Sequence, residues 1–180
     1  FGFDFDPDLR KAARMNMVMA GDGHANIFHI NSLAYPNGDN RHELEKVMQA
    51  VSKSLKKSPD KKFPFEFEDA RGKFDMIFTN PPFGAKIPIN DPEILKQFDL
   101  GYNWKKNAAG KWDKFSVSSS EPPEILFIDQ CCQLLKPGGK MAIVLPDGIL
   151  GNPNLEYLRA WILHHFQVLA SIDLPIEAFL

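Results

Sequence analysis

An open parallel α/β sheet is the fold class that this 180-residue sequence predicts. Short apolar runs alternate four times with helical patterns. The runs at residues 74–78 and 141–145 are too short for ordinary globular helices. Gly72 and a double proline bound the first of them, and a Lys-Pro-Gly-Gly turn precedes the second.

Phe1, Phe3 and Phe5 alternate with Gly2, Asp4 and Asp6, which is the period of a strand. Asp6 then suits an N-cap and Pro7 the first helical turn. From Leu9 the residues Ala12, Ala13, Met17 and Ala20 recur at helical spacing, and Gly21 stands where a left-handed C-cap ends a helix. Residues 27–30 offer a short strand before the turn material Tyr35-Pro36-Asn37-Gly38. Within residues 39–62, Leu44, Val47, Met48, Val51 and Leu55 share one helical face, so a helical insertion beside the sheet is expected. Residues 74–78 read as a buried parallel strand.

The polar stretch 84–120 is long for a connection and reads as a loop or lid. Its lysines Lys86, Lys96, Lys105, Lys106, Lys111 and Lys114 alternate with Tyr102, Trp104, Trp112 and Phe115. That mixture suits phosphate and base contacts, and equally a solvated lid with its own apolar cluster. Pro122 and Pro123 suit a helix start, Ile125, Ile128, Cys132 and Leu135 its stripe, and Lys136-Pro137-Gly138-Gly139 its stop. A strand at 141–145, a helix from Asn152-Pro153 through Leu155, Leu158 and Ile162, and a last strand at 168–174 complete the pattern.

The composition, 44% hydrophobic and 24% charged, is that of a single soluble domain. Apolar stretches fall well short of the ~20 residues that cross a bilayer, and no secretory pattern opens the chain. Cys131 and Cys132 are adjacent, which excludes a loop-closing disulfide between them and indicates reduced thiols in a cytoplasmic protein. They read as helix core. The five histidines show no metal spacing, and His42-Glu43-Leu44-Glu45-Lys46 lacks the second histidine of a zinc helix. A net charge of −2 is unlike a free-standing DNA-binding module.

Asn80-Pro81-Pro82-Phe83 follows a predicted strand, at the end where open α/β sheets bind ligands. An aromatic exocyclic amine is a poor nucleophile because its lone pair is delocalised. The Asn80 side-chain oxygen and the Pro81 carbonyl supply two acceptors for its hydrogens, held by backbone that Pro81 and Pro82 stiffen. Phe83 adds a flat face for a base, worth ~1 to 3 kcal/mol of stacking. A base in a duplex reaches such a pocket only by flipping out. Taken alone, the four residues also fit an ordinary turn after a strand.

With these residues in place, the chain resembles the modification subunit of type I restriction-modification systems, N6-adenine DNA methyltransferases, over essentially all 180 residues. The resemblance implies a Rossmann-like fold dependent on S-adenosylmethionine. It places Asp4 on the cofactor ribose hydroxyls, Phe5 on the cofactor adenine ring and Asn31 on the adenine amine, where relatives often carry Asp. Asp6 as helix cap and Asn31 as strand-end turn remain the local alternatives. Asn80, Pro81, Pro82 and Phe83 become the catalytic loop, acting on a flipped adenine of double-stranded DNA. Specificity and restriction subunits are the implied partners, with no metal and no membrane. The family's first strand and glycine-rich turn are expected before Phe1, so the fold is expected to be partial, with a gap at the centre of its sheet and weak or absent cofactor binding by residues 1–180 alone. Gly21-Asp22-Gly23 does not replace that turn, because it follows a helix. A protein-glutamine or RNA-base amine methyltransferase is the alternative enzyme reading, and a catalytically inactive assembly domain the alternative outside catalysis.

Overall fold

In a computed structural model, residues 1–23, 26–33, 41–54, 71–84 and 87–179 are described. β1 (Gly2–Asp4) gives way to α1 (Pro7–Met19). The Asp6 side chain accepts from the Asp8 and Leu9 amides at 2.7 and 3.1 Å, an N-cap with Pro7 in the first turn. The bonds from Leu9 and Asp8 hold the Asp6 carboxyl below its ordinary range. At the other end Gly21 takes φ 78. The Gly21 and Asp22 amides return to the Val18 and Met17 carbonyls, the paired bonds of a Schellman cap.

β2 (Ile27–His29) pairs with β1 in parallel, Gly2 opposite Ile27 and Asp4 opposite His29. α2 (Arg41–Ser54) lays Val47 and Val51 on Phe28 and Ile30, and Phe3, Ala50 and Phe74 close around them. The predicted turn Tyr35-Pro36-Asn37-Gly38, Leu55 and residues 55–62 lie outside the described residues, as do the side chains of Leu44 and Met48.

β3 (Phe74–Thr79) pairs in parallel with β6 (Leu135–Ile143), Met76 opposite Lys140 and Thr79 opposite Ile143. The register shifts between Phe74 and Met76, where the facing strand holds Pro137, Gly138 at φ 79, and Gly139. The Lys-Pro-Gly-Gly run is therefore a bulge inside β6 and not the stop of the preceding helix, and the strand begins at Leu135, earlier than predicted.

Among the described residues there are three two-stranded sheets, with order β1-β2, β3-β6 and a separate antiparallel pair. The described strands do not form the one open sheet expected. Phe1 meets Phe74 edge-on at 5.9 Å, which brings the amino ends of β1 and β3 together without a shared ladder. Nor is β3 buried: Met76 and Phe78 are 53% and 73% exposed on one face. Residues 168–174 form no strand, and Val168, Leu169 and Ile172 are exposed. An apolar, β-branched run marks a segment suited to pairing, but a ladder also needs a neighbour in register.

Residues 84–120 depart furthest from expectation. α3 (Pro92–Leu95), capped by Asp91, and a 3-10 turn at Asp99–Gly101 lead into a hairpin of β4 (Tyr102–Lys106) and β5 (Trp112–Val117). Asn107 Oδ1 accepts from the Ala109 and Lys111 amides at 2.9 and 3.0 Å, and Gly110 takes φ 75, which closes the turn. Three of the lysines serve the hairpin itself. Lys105 lies over Phe115, Lys106 over Trp112 and Lys114 over Tyr102, at 4.6, 5.0 and 4.6 Å. Lys106 also pairs with Glu156 and Lys114 with Asp99. Lys86 is outside the described residues.

α4 (Pro123–Leu134) anchors the core from two faces. Ile125 and Ile128 pack with Leu100, Ile149, Leu158 and Trp161, the last three on α5 (Gly148–Gly151) and α6 (Glu156–His165). Leu126 packs with Leu33, Leu95 and Phe98. Asn152 caps the 3-10 turn that starts the final helix by accepting from the Asn154 amide. Burial pushes the Cys131 and Cys132 thiols up to about 12 and about 11, so both are packing groups with little thiolate at neutral pH.

Just before α4, Glu121 exchanges backbone bonds with Ile89 and is buried. Burial raises its carboxyl above the ordinary value, and a bond from Ser118 only partly offsets this. Because the folded value is raised, the stability contributed by this group is fully present below 4.5, the ordinary value, and is lost as pH rises through the folded value. Glu121→Gln is accordingly expected to stabilise the fold at neutral pH, with a gain that shrinks as pH falls toward 4.5. Urea midpoints at the two pH values check this. An equal shift at both would contradict it.

Candidate active site

The end of β3 is tied down before the polar loop begins: the Val144 amide donates to the Thr79 carbonyl at 3.1 Å. Asn80 is then exposed, Pro81 buried and Pro82 exposed. Phe83 is 38% exposed, and Gly84 follows at φ 111. A buried proline between an exposed amide and an aromatic ring seats the loop while leaving the amide outside. The Gly84 N–H donates to Glu124 Oε2 at 3.1 Å. Glu124 is 5% exposed, in the first turn of α4. Residues 80–83 therefore leave a strand held by β6 and return onto a helix held by the core.

Asp4, Phe5 and Asn31 gather at the neighbouring carboxyl ends of β1 and β2. Asp4 Oδ1 accepts from the Asp6 amide at 2.8 Å, and the Asp4 carbonyl from the Ile30 amide at 3.1 Å. Asn31 Oδ1 accepts from the Leu33 amide at 3.1 Å. Both short polar side chains thus hold turns, as the local alternatives had it for the strand end at Asn31. Phe5 is 66% exposed, and its ring stacks on His29 with centroids 5.9 Å apart and planes at 26°. His29 Nε2 lies 2.8 Å from the Phe5 carbonyl.

This group and the residue 80–83 group lie at the ends of separate ladders. Two residues of the arrangement escaped the sequence reading. His29 gave its signal only through register, opposite Asp4. Glu124 is an acidic residue in the first turn of a helix, favourable to the helix dipole, and nothing local points to Gly84, 40 residues away. Among the described residues there is no group of three or more His, Cys, Asp or Glu able to hold a metal ion, and no helix long and apolar enough to cross a membrane.

Comparison with known proteins matches residues 1–179 to the family described as Eco57I restriction-modification methylase. Over 101 residues the chain is 27% identical to the Type II methyltransferase M.VspI of Vibrio sp. (strain 343), a stretch covering 56% of this chain and 21% of that relative. The match therefore spans about a fifth of the relative's length.

Proposed function

The chain belongs to the Eco57I restriction-modification methylase family, and on that footing we propose that it carries the amine-binding loop of an S-adenosylmethionine-dependent DNA adenine-N6 methyltransferase. The wider restriction-modification class, and not the type I branch that the sequence resemblance suggested, is what the family match carries. The observation behind the finer reading is the loop itself: an exposed Asn80 and a partly exposed Phe83 around a buried Pro81, directly after a strand in a parallel ladder.

Asn80 and the Pro81 carbonyl each accept one hydrogen of the adenine amine. This draws the nitrogen toward tetrahedral geometry, frees its lone pair and stabilises the positive charge that develops on it. Phe83 stacks on the base, which has left the duplex. When bound, the donor would supply a sulfonium methyl: the nitrogen–carbon bond would form as the carbon–sulfur bond breaks to leave a thioether, and the methylated nitrogen would then lose one proton to water. Asp4, Phe5 and Asn31 fit that donor by chemistry. A carboxylate suits ribose hydroxyls, an exposed ring suits an adenine face, and an amide suits the adenine amine. The two parallel ladders are read as parts of a Rossmann-like sheet.

The net charge of −2 and the engagement of the hairpin lysines with their own rings and carboxylates favour a DNA grip supplied from elsewhere. Separate specificity and restriction subunits, the type I arrangement, meet that need in the cytoplasm. The test is to incubate the full-length protein with methyl-labelled S-adenosylmethionine and double-stranded DNA, then identify labelled nucleosides by mass spectrometry. N6-methyladenine is expected. Label confined to RNA, to a protein glutamine or to cytosine, or no transfer at all, would sink the reading.

A further inference from the structure

The peptide joining Phe83 to Gly84 carries the amide that Glu124 accepts. Three features set this bond apart from an incidental surface contact. The carboxylate is buried, so leaving it unbonded is costly. Gly84 takes φ 111, a conformation L side chains rarely adopt and glycine permits, so the chain turns at the residue whose amide Glu124 holds. The acceptor also sits at the start of a helix whose next residues, Ile125 and Leu126, belong to two different core clusters.

We propose that Glu124 is a positioning residue, whose carboxylate sets the plane of the Phe83–Gly84 peptide and thereby the direction of the Phe83 ring and the seat of Asn80. The inference rests on the reading of residues 80–83 as the amine-binding loop. Glu124 touches no reacting atom in this role. Its reach is specific: aspartate is one methylene too short to meet the Gly84 amide from the same helix position, whereas glutamine keeps an acceptor oxygen at the same distance.

The test uses the full-length protein, with Glu124→Ala, Glu124→Asp and Glu124→Gln compared by hydrogen–deuterium exchange resolved to Gly84 and by methylation kinetics. Gly84 exchange is expected to rise about tenfold in the Ala and Asp variants and to stay near wild type in Gln. In the same two variants kcat is expected to fall about 10- to 100-fold with KM for DNA little changed, because a misplaced acceptor affects the reacting geometry more than binding. Glutamine is expected to restore most of the rate. Unchanged Gly84 exchange in the Ala and Asp variants, or a Gln variant as impaired as Ala, overturns the proposal. Should Glu124→Ala fail to fold, the Asp and Gln pair decides in the same way. A wild-type protein that methylates no amine defeats the reading of the loop, while the exchange result separately decides the positioning.

Discussion

Asn80→Ala is expected to lower kcat for methyl transfer about 100- to 1000-fold, the range seen when one preorganised hydrogen-bonding group is removed from a charge-stabilising site. The reason is the weakness of the nucleophile. An exocyclic amine shares its lone pair with the ring, and two acceptors are needed to turn both hydrogens out of that plane. With alanine at 80, only the Pro81 carbonyl remains, and the amine stays planar for most of its bound life. The Asn80 side chain is exposed, so its removal leaves no cavity and no buried group unpaired, and stability is expected to hold. Affinity for S-adenosylmethionine is also expected to hold, since the residues assigned to it lie at the carboxyl ends of β1 and β2. Single-turnover methylation beside calorimetric titration of the donor separates the two effects. Undiminished transfer, or a loss explained by donor affinity alone, would remove Asn80 from the proposed chemistry.

What could be read in the chain beforehand followed from the range of the interactions. Caps are local: Asp6 with Pro7, Gly21 at positive φ and Asn152 before Pro153 act within four residues, and each is found where its residue type demanded. Pairing is not local. Nothing in the residue 168–174 run distinguishes a strand with a neighbour from one without, and nothing in the double glycine after Pro137 distinguishes a helix stop from a bulge inside a strand. The hairpin between Tyr102 and Val117 was hidden by its lysines. Their charge suggested solvent, whereas the ammonium groups of Lys105, Lys106 and Lys114 lie over rings of the facing strand.

The same division runs through the candidate site. Asn80-Pro81-Pro82-Phe83 is stiff by its own covalent geometry, so the stiffness of the loop was legible in four residues. The direction in which the loop returns depends on Glu124 and is set across 40 residues. Asp4 and Asn31 show a third situation, since side chains suited to a ligand also satisfy neighbouring amides. One hydrogen bond to a backbone amide leaves a carboxylate with further acceptor capacity, so holding a turn and meeting a ribose are compatible tasks.

Gly101→Ala is expected to destabilise the protein by about 3 kcal/mol or more, at the upper end of what one added methyl does in a packed interior. A Cβ at 101 would lie 2.1 Å from the Leu95 carbonyl oxygen and 2.8 Å from its carbon. Both are backbone atoms at the end of α3, so no rotamer change relieves the overlap. The surroundings leave little room for the backbone to give way. The Gly101 amide donates to Phe98 at 3.2 Å and its carbonyl accepts from Ser118 at 2.9 Å. Leu100, one residue earlier, donates its amide to the buried Asp129 of α4 at 2.9 Å. Moving α3 outward would expose Leu95 and Phe98, and moving the chain the other way would break the bonds to Ser118 and Asp129. Either displacement disturbs the anchorage of the helix that bears Glu124. Gly148→Ala provides the control, because a Cβ there meets nothing within 4 Å. Denaturant unfolding of both variants tests the argument: a lower midpoint at 101 with an unmoved one at 148 is expected. Equal midpoints would mean that the approach of residues 95 and 101 is looser than these distances require, and that the hairpin is not locked to α4 through this joint.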